Sequence, residues 1–314
     1  MDVKIAPREA YGRALVELGR ENEDIVVLDA DVAKASMTVL FKEAFPDRFF
    51  DLGIAESDIM ATGAGFAVAG KIPFVNAYAN FLLGNGWEQL RLSICYAGQN
   101  VKVVGHNIGA SSAKDGPTHL PLEDIALARV IPGLTVLEPA DAIEMKKAVR
   151  AVAAHAGPVY MRVGRMPTPL VTREDDPFVL GRANILRPGR DVTIVACGCM
   201  AAKALSAAAE LAARGLEAEV VNLHTIKPLD EETLLASARK TRAVVTAEEH
   251  STRAGMGSAV AEFLAGRCPV PVRMVGSRDI FGICASYEDI QEFFGMTAAK
   301  IVEEAEKACS MRDI

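Results

Sequence analysis

Short, unbroken apolar runs alternate with helical periodicity along the first half of the chain. The runs at 25–28, 72–77, 101–104, 134–137 and 158–163 are continuous rather than alternating in polarity. That is the mark of strands covered on both faces in a parallel sheet. Helical patterns near 10–19, 57–69, 87–97 and 142–154 separate them. Strand and helix in regular succession predict an α/β doubly wound sheet.

A break in the pattern follows. Residues 164–190 hold four of the fifteen prolines, a run of charges and no helical period, which predicts a linker over the surface. A second, smaller α/β unit then begins. It has candidate strands at 192–196, 218–222, 243–246 and 270–275, and helices near 201–213, 231–238, 256–265 and 298–308. The expected organisation is a first domain over 1–170, a linker over 171–190 and a second domain over 191–314.

At 314 residues either unit has enough chain to bury a core. No apolar run reaches the roughly 18 residues needed to cross a bilayer, and the N-terminus lacks signal or transit character. A cytoplasmic protein without a membrane partner is expected. The net charge of −7 argues against nucleic acid, which needs a basic stripe. Among six cysteines only Cys197 and Cys199 lie close together, so no four-ligand zinc site can be assembled and reduced thiols are expected.

The stretch GIAESDIMATGAGFAVAG at 53–70 places Glu56 at the mouth of a small-residue, largely apolar helix, on the positive end of its dipole. Taken alone, it could be a capping acid. A strand and an aromatic pair in NAYANFLL, then His106, then KDGPTHLP at 114–121, follow in order. This series resembles the pyrimidine-binding half of a transketolase. NLHTIKPLD at 222–230 and TAEEHSTRAGMGSAV at 246–260 resemble the C-terminal domain of the same family. The likeness implies a thiamine-diphosphate-binding doubly wound domain of the pyrimidine type, followed by a smaller α/β transketolase C-terminal domain.

The resemblance assigns roles residue by residue. Glu56 matches the glutamate that hydrogen-bonds a ring nitrogen of the aminopyrimidine and activates the cofactor. Tyr78 and Phe81 match an aromatic pair that contacts the pyrimidine, and Asp31 joins them in cofactor binding. Asp115 and His119 match residues that hydrogen-bond the hydroxyls of the donor ketose, with His119 also counted as catalytic. Phosphate recognition falls to Arg8, Ser36, His106 and Arg165, because converging arginines suit an anion clamp. His106 lies nine residues before Asp115, one more than is usual, and GASSAK replaces the family's glycine-rich loop. A reshaped donor loop is expected.

No metal site is expected on this chain. In the family, a Gly-Asp-Gly and a later Asn hold the magnesium and the diphosphate. No Gly-Asp dipeptide occurs here. The resemblance therefore implies an N-terminal partner subunit that supplies the diphosphate and Mg²⁺ site, in an α2β2 assembly that shares thiamine diphosphate. The implied reaction moves a two-carbon glycolaldehyde unit from a ketose phosphate to an aldose phosphate. The alternatives are the β-subunit of a 2-oxo-acid dehydrogenase decarboxylase and a non-catalytic assembly paralogue.

Overall fold

The structure, a computed structural model, describes residues 3–312; the expected domain ends at 1, 2, 313 and 314 lie outside them. The first sheet has seven strands in the order Thr225–Lys227, Thr135–Leu137, Val159–Val163, Lys102–His106, Ile72–Tyr78, Ile25–Asp29, Phe49–Asp51. All pair in parallel except the first, which runs antiparallel to Thr135–Leu137.

Strand periodicity explains how this sheet is buried. Val26 and Leu28 belong to one core and Ile25 and Val27 to the other, while Val103 and Val104 divide in the same way. Side chains alternate across a strand, so an unbroken apolar run feeds two cores. Helix Glu56–Val68 covers one face through Ile59, Met60 and Ala64. Helices Pro7–Glu21 and Ala142–Ala154 cover the other through Tyr11, Leu15, Met145 and Val149. Each fully buried side chain of the size of Ile59 or Met60 contributes about 1.5–3 kcal/mol.

The second sheet has five strands in the order Val272–Ser277, Val244–Ser251, Val192–Ala196, Ala218–Asn222, Asn184–Arg187. Its last strand is antiparallel and lies within the segment whose composition suggested a linker. Nearby, Thr168–Pro169 pairs with Lys4–Ile5. The segment between the units is thus anchored to a strand at each end.

The two units share hydrophobic contacts as well as a strand. Val195, Cys197, Val221 and Leu223 of the second sheet continue the core beneath helix Glu56–Val68. Ala110, Ala113, Leu120 and Leu122 of the first unit enter the core on the other face of the second sheet. The helix expected over 87–97 opens as an α-turn, Trp87–Gln89, and continues as π-helix over Leu90–Tyr96.

Candidate active site

The expected site residues gather at the C-terminal ends of the parallel strands, where open α/β sheets bind ligands. Asp29, Asp51, Tyr78 and His106 each end a strand, and Arg165 follows Val159–Val163. The chain runs from strand Ile25–Asp29 outward to Phe49–Asp51, then returns to the opposite neighbour, Ile72–Tyr78. This reversal opens a crevice between the loops that follow the first and third of these strands.

Glu56 is the first residue of its helix and is 7% exposed. It does not cap the helix with its side chain. Instead, Oε2 accepts a hydrogen bond from Asn85 Nδ2 at 3.2 Å. Asn85 ends the short helix Ala79–Asn85, and Gly86 lets that helix approach closely: a Cβ there would lie 2.7 Å from the Leu82 carbonyl and 3.1 Å from that of Glu56.

Tyr78, at the end of its strand, Phe81, on the helix that carries Asn85, and His119 form an aromatic cluster. The ring of His119 meets Phe81 edge-on at 5.0 Å and Tyr78 at 6.0 Å, and the two aromatics are 6.4 Å apart. Asn80 Nδ2 donates to the Thr118 carbonyl at 2.5 Å, tying the Asp-Gly-Pro-Thr-His turn to the same helix. His119 Nδ1 lies 2.9 Å from Thr118 Oγ1.

His106 is buried, and its tautomer follows from its neighbours. Asn76 Nδ2 donates to the carbonyls of Leu28 and Phe74, so its Oδ1 must be the acceptor for Tyr11 Oη at 2.6 Å and His106 Nε2 at 3.0 Å. Nε2 therefore carries the proton. Nδ1 is a buried acceptor without a partner. Burial first, and then the Arg8 guanidinium, holds the imidazole down to about 3, so it is neutral at physiological pH.

Arg8 donates from Nη1 to the Ala35 carbonyl at 3.0 Å, while its buried Nε has no partner. Burial and then the charge of the neighbouring Arg165 lower its pKa. Arg165 is half-buried and pairs with Asp115 at 3.2 Å. Asp115 is therefore engaged by the arginine expected to meet phosphate.

Two expected residues are arranged differently from the rest. Ser36 is fully buried, and its hydroxyl bonds to Asp29, Ala33 and Thr38 rather than standing free. Asp31 is exposed, with φ of 59°, and its N–H donates to Asp51 Oδ1 at 3.1 Å. The buried acid of this turn is Asp29, which accepts from Val32 N–H, Ser36 Oγ and Thr38 Oγ1. Burial raises its carboxyl to about 6 against those three bonds. Asp29, Asn76, Asn80 and Asn85 were not singled out from sequence; the only hint was their position at the ends of apolar runs.

A buried polar cluster lies between the units. Arg162, fully buried, grips Asp124 through Nε (2.7 Å) and Nη2 (3.0 Å), and Glu138 through Nη1 (2.5 Å). Its Nη2 also donates to the Glu249 carbonyl at 3.2 Å. His250, in the second unit, is buried, with Nδ1 against the Ser251 carbonyl and Nε2 facing Ala126 N–H. Among the described residues no cluster of His, Cys, Asp and Glu could hold a metal ion. No helix there is long and apolar enough to cross a membrane.

A carboxylate at a helix mouth, an aromatic cluster and Arg165 thus lie at the C-terminal ends of the strands of a doubly wound sheet. Residues 3–169 match the family described as transketolase, pyrimidine binding domain, and residues 181–301 match the transketolase C-terminal domain. The chain is 45% identical over 306 residues to the 6-deoxy-6-sulfo-D-fructose transketolase subunit SqwH of Clostridium sp. (strain MSTE9), covering 98% of this chain and 95% of that one. It is 37% identical over 303 residues to an apulose-4-phosphate transketolase subunit of Phocaeicola vulgatus, covering 96% of each. A solved split gene transketolase, an inactive β4 tetramer, superposes with a TM-score of 0.92 at 48% identity, covering 98% of this chain and 99% of that one. The chain belongs to the transketolase family, which implies thiamine diphosphate with a metal ion.

Proposed function

We propose that this chain is the C-terminal subunit of a split transketolase and transfers a two-carbon ketol unit between sugars together with an N-terminal partner. The observation that carries this reading is the buried Glu56 carboxylate, held by Asn85 from the same short helix that carries Phe81 of the ring cluster with Tyr78 and His119. That donor set fits an aminopyrimidine: an acid for a ring nitrogen and apolar ring surface for its face and edge. The likeness to subunits of two-part transketolases, one of them solved as an inactive β4 tetramer, supports the need for a partner.

Each residue of the site then has its own task. Glu56 holds a proton shared with the pyrimidine ring, and its place on the first turn of its helix together with Asn85 fixes the carboxyl in position. Bound thiamine diphosphate supplies the electron sink for carbon–carbon cleavage. Asp115 and His119 hydrogen-bond donor hydroxyls, which rejects analogues that lack them. Arg8 and Arg165 receive the anionic end of the sugar, and neutral His106, expected for phosphate, offers Nδ1 as an acceptor that suits a sugar hydroxyl beside it. Asp31 borders the cofactor from the neighbouring turn. Ser36 supports that turn through Asp29. The partner holds the diphosphate and Mg²⁺ in an α2β2 assembly, and the work is cytoplasmic.

The two relatives differ in their named sugars, so the ketose and aldose are open to assay rather than fixed by family. The test is reconstitution. This chain alone, given thiamine diphosphate, Mg²⁺ and ketose and aldose phosphates, should turn nothing over. Adding a chain that carries the diphosphate-binding domain should start transfer. Full turnover by the isolated chain would overturn the split reading.

A further inference from the structure

A cavity of about 400 Å³ lies against the rim of the candidate site, and its walls come from both units. Ser111–Asp115 of the donor loop, with Arg165 and Met166, form one wall, and Ser286, Tyr287 and Glu288 of the second unit form the other. The loop rests firmly on that second unit. Gly109, at φ of 55°, leaves room for Glu249, because a Cβ there would meet Glu249 Cβ at 2.6 Å. Glu249 in turn accepts from Tyr287 Oη at 2.8 Å, and Cys284 Sγ contacts the Lys114 carbonyl at 3.1 Å.

The charges around this cavity nearly balance. Lys114 and Arg165 are cationic, Asp115 and Glu288 are anionic, and Asp115 already pairs with Arg165. A sugar phosphate brings a charge of about −1.5 to −2 at neutral pH. A wall of balanced charge serves a dianion poorly and a neutral or singly charged group better. Ser286 is occupied in capping helix Tyr287–Phe294 and the Tyr287 hydroxyl in donating to Glu249, so Glu288 is the second unit's charged group on this wall.

We infer that Glu288 is a specificity-determining residue: the second unit reaches the sugar site and lowers its preference for donors with a dianionic far end. The inference rests on the transketolase reading above, and the test separates the two. In the reconstituted complex, kcat/KM is measured for fructose 6-phosphate and for hydroxypyruvate, a three-carbon donor that carries no phosphate. The ratio of the first to the second should rise about two- to fivefold in Glu288→Gln and further in Glu288→Lys, since these are exposed like-charge contacts. The gain should shrink at high ionic strength, where exposed charges are screened. An unchanged ratio, or equal changes for both donors, overturns the role of Glu288 while the transketolase reading stands. No turnover of either donor by the unmodified complex overturns that reading and the inference with it.

Discussion

Arg162 and Arg165 are three residues apart at the end of one strand, yet they belong to opposite kinds of environment. Arg162 is sealed between the units, with every bond directed to a named acid or carbonyl. Arg165 is 37% exposed and holds a single carboxylate across a rim that ligand can reach. The contrast extends to their surroundings. Around the rim, Arg8 Nε, His106 Nδ1, Asn80 Oδ1 and both polar atoms of Asn107 are buried without partners. In the second unit, Glu248 takes the N–H groups of Met256 and Gly257, and Glu249 takes Tyr287 and Gln291. Single unpaired atoms also occur away from the rim, at Glu138, Asn222, His224 and Thr246, so what sets the rim apart is that Arg8 and His106 lie unpaired beside an exposed arginine.

The difference can be tested by loss of turnover without loss of fold. Glu56→Gln in the reconstituted complex should cut kcat about 10²–10⁴-fold, the usual worth of acid–base participation, with the thermal midpoint unmoved. A near-normal rate would remove Glu56 from the chemistry. Arg162→Met should act the other way. It strands Asp124 and Glu138 in the interior, and breaking a buried pair costs about 3–5 kcal/mol, read as a lower urea midpoint. Arg165→Met should keep that midpoint within about 0.5 kcal/mol and raise KM for a phosphorylated donor instead. Equal stability losses in the two variants would erase the distinction.

A smaller effect should appear at Asp29, which is buried but borders the rim. Its carboxyl titrates at about 6 in the fold, against about 3.9 when unfolded. The raised value means that its stabilising contribution is complete below about pH 4 and is lost as pH rises through 6. Asp29→Asn should therefore gain on the order of 1–2 kcal/mol over the parent at pH 8 and none at pH 4, measured by denaturant titration at both values. Its Ser36 and Thr38 partners are hydroxyls that can turn to accept from the new amide. Parallel stability profiles would show that Asp29 is charged in both states.

Much of this was legible in the chain. The apolar runs predicted the parallel strands because burial on both faces leaves no polar positions, and the Asp-Gly-Pro-Thr-His turn marked the rim. What escaped was decided by distance in space. Three residues, Thr225–Lys227, carry too little pattern to announce that they join a sheet of the other unit. Asn184–Arg187 sits among prolines that suggested a linker, but an edge strand tolerates such neighbours. In Asp29-Ala30-Asp31 either acid could face inward. Strand pairing buries Asp29, while the left-handed turn exposes Asp31. Asn85 carries no signal in the sequence, and only the tertiary fold brings it to Glu56.

The strand Thr225–Lys227 also sets the order in which the molecule can be completed. It closes the edge at Thr135–Leu137 from about ninety residues further along the chain. While the protein is being made, the first sheet waits with an open edge until the ribosome has passed residue 227. An open edge is a template for pairing with other chains. The second unit is thus the first unit's guard during synthesis, and a gene cut at the segment between them would yield a first half with that edge bare.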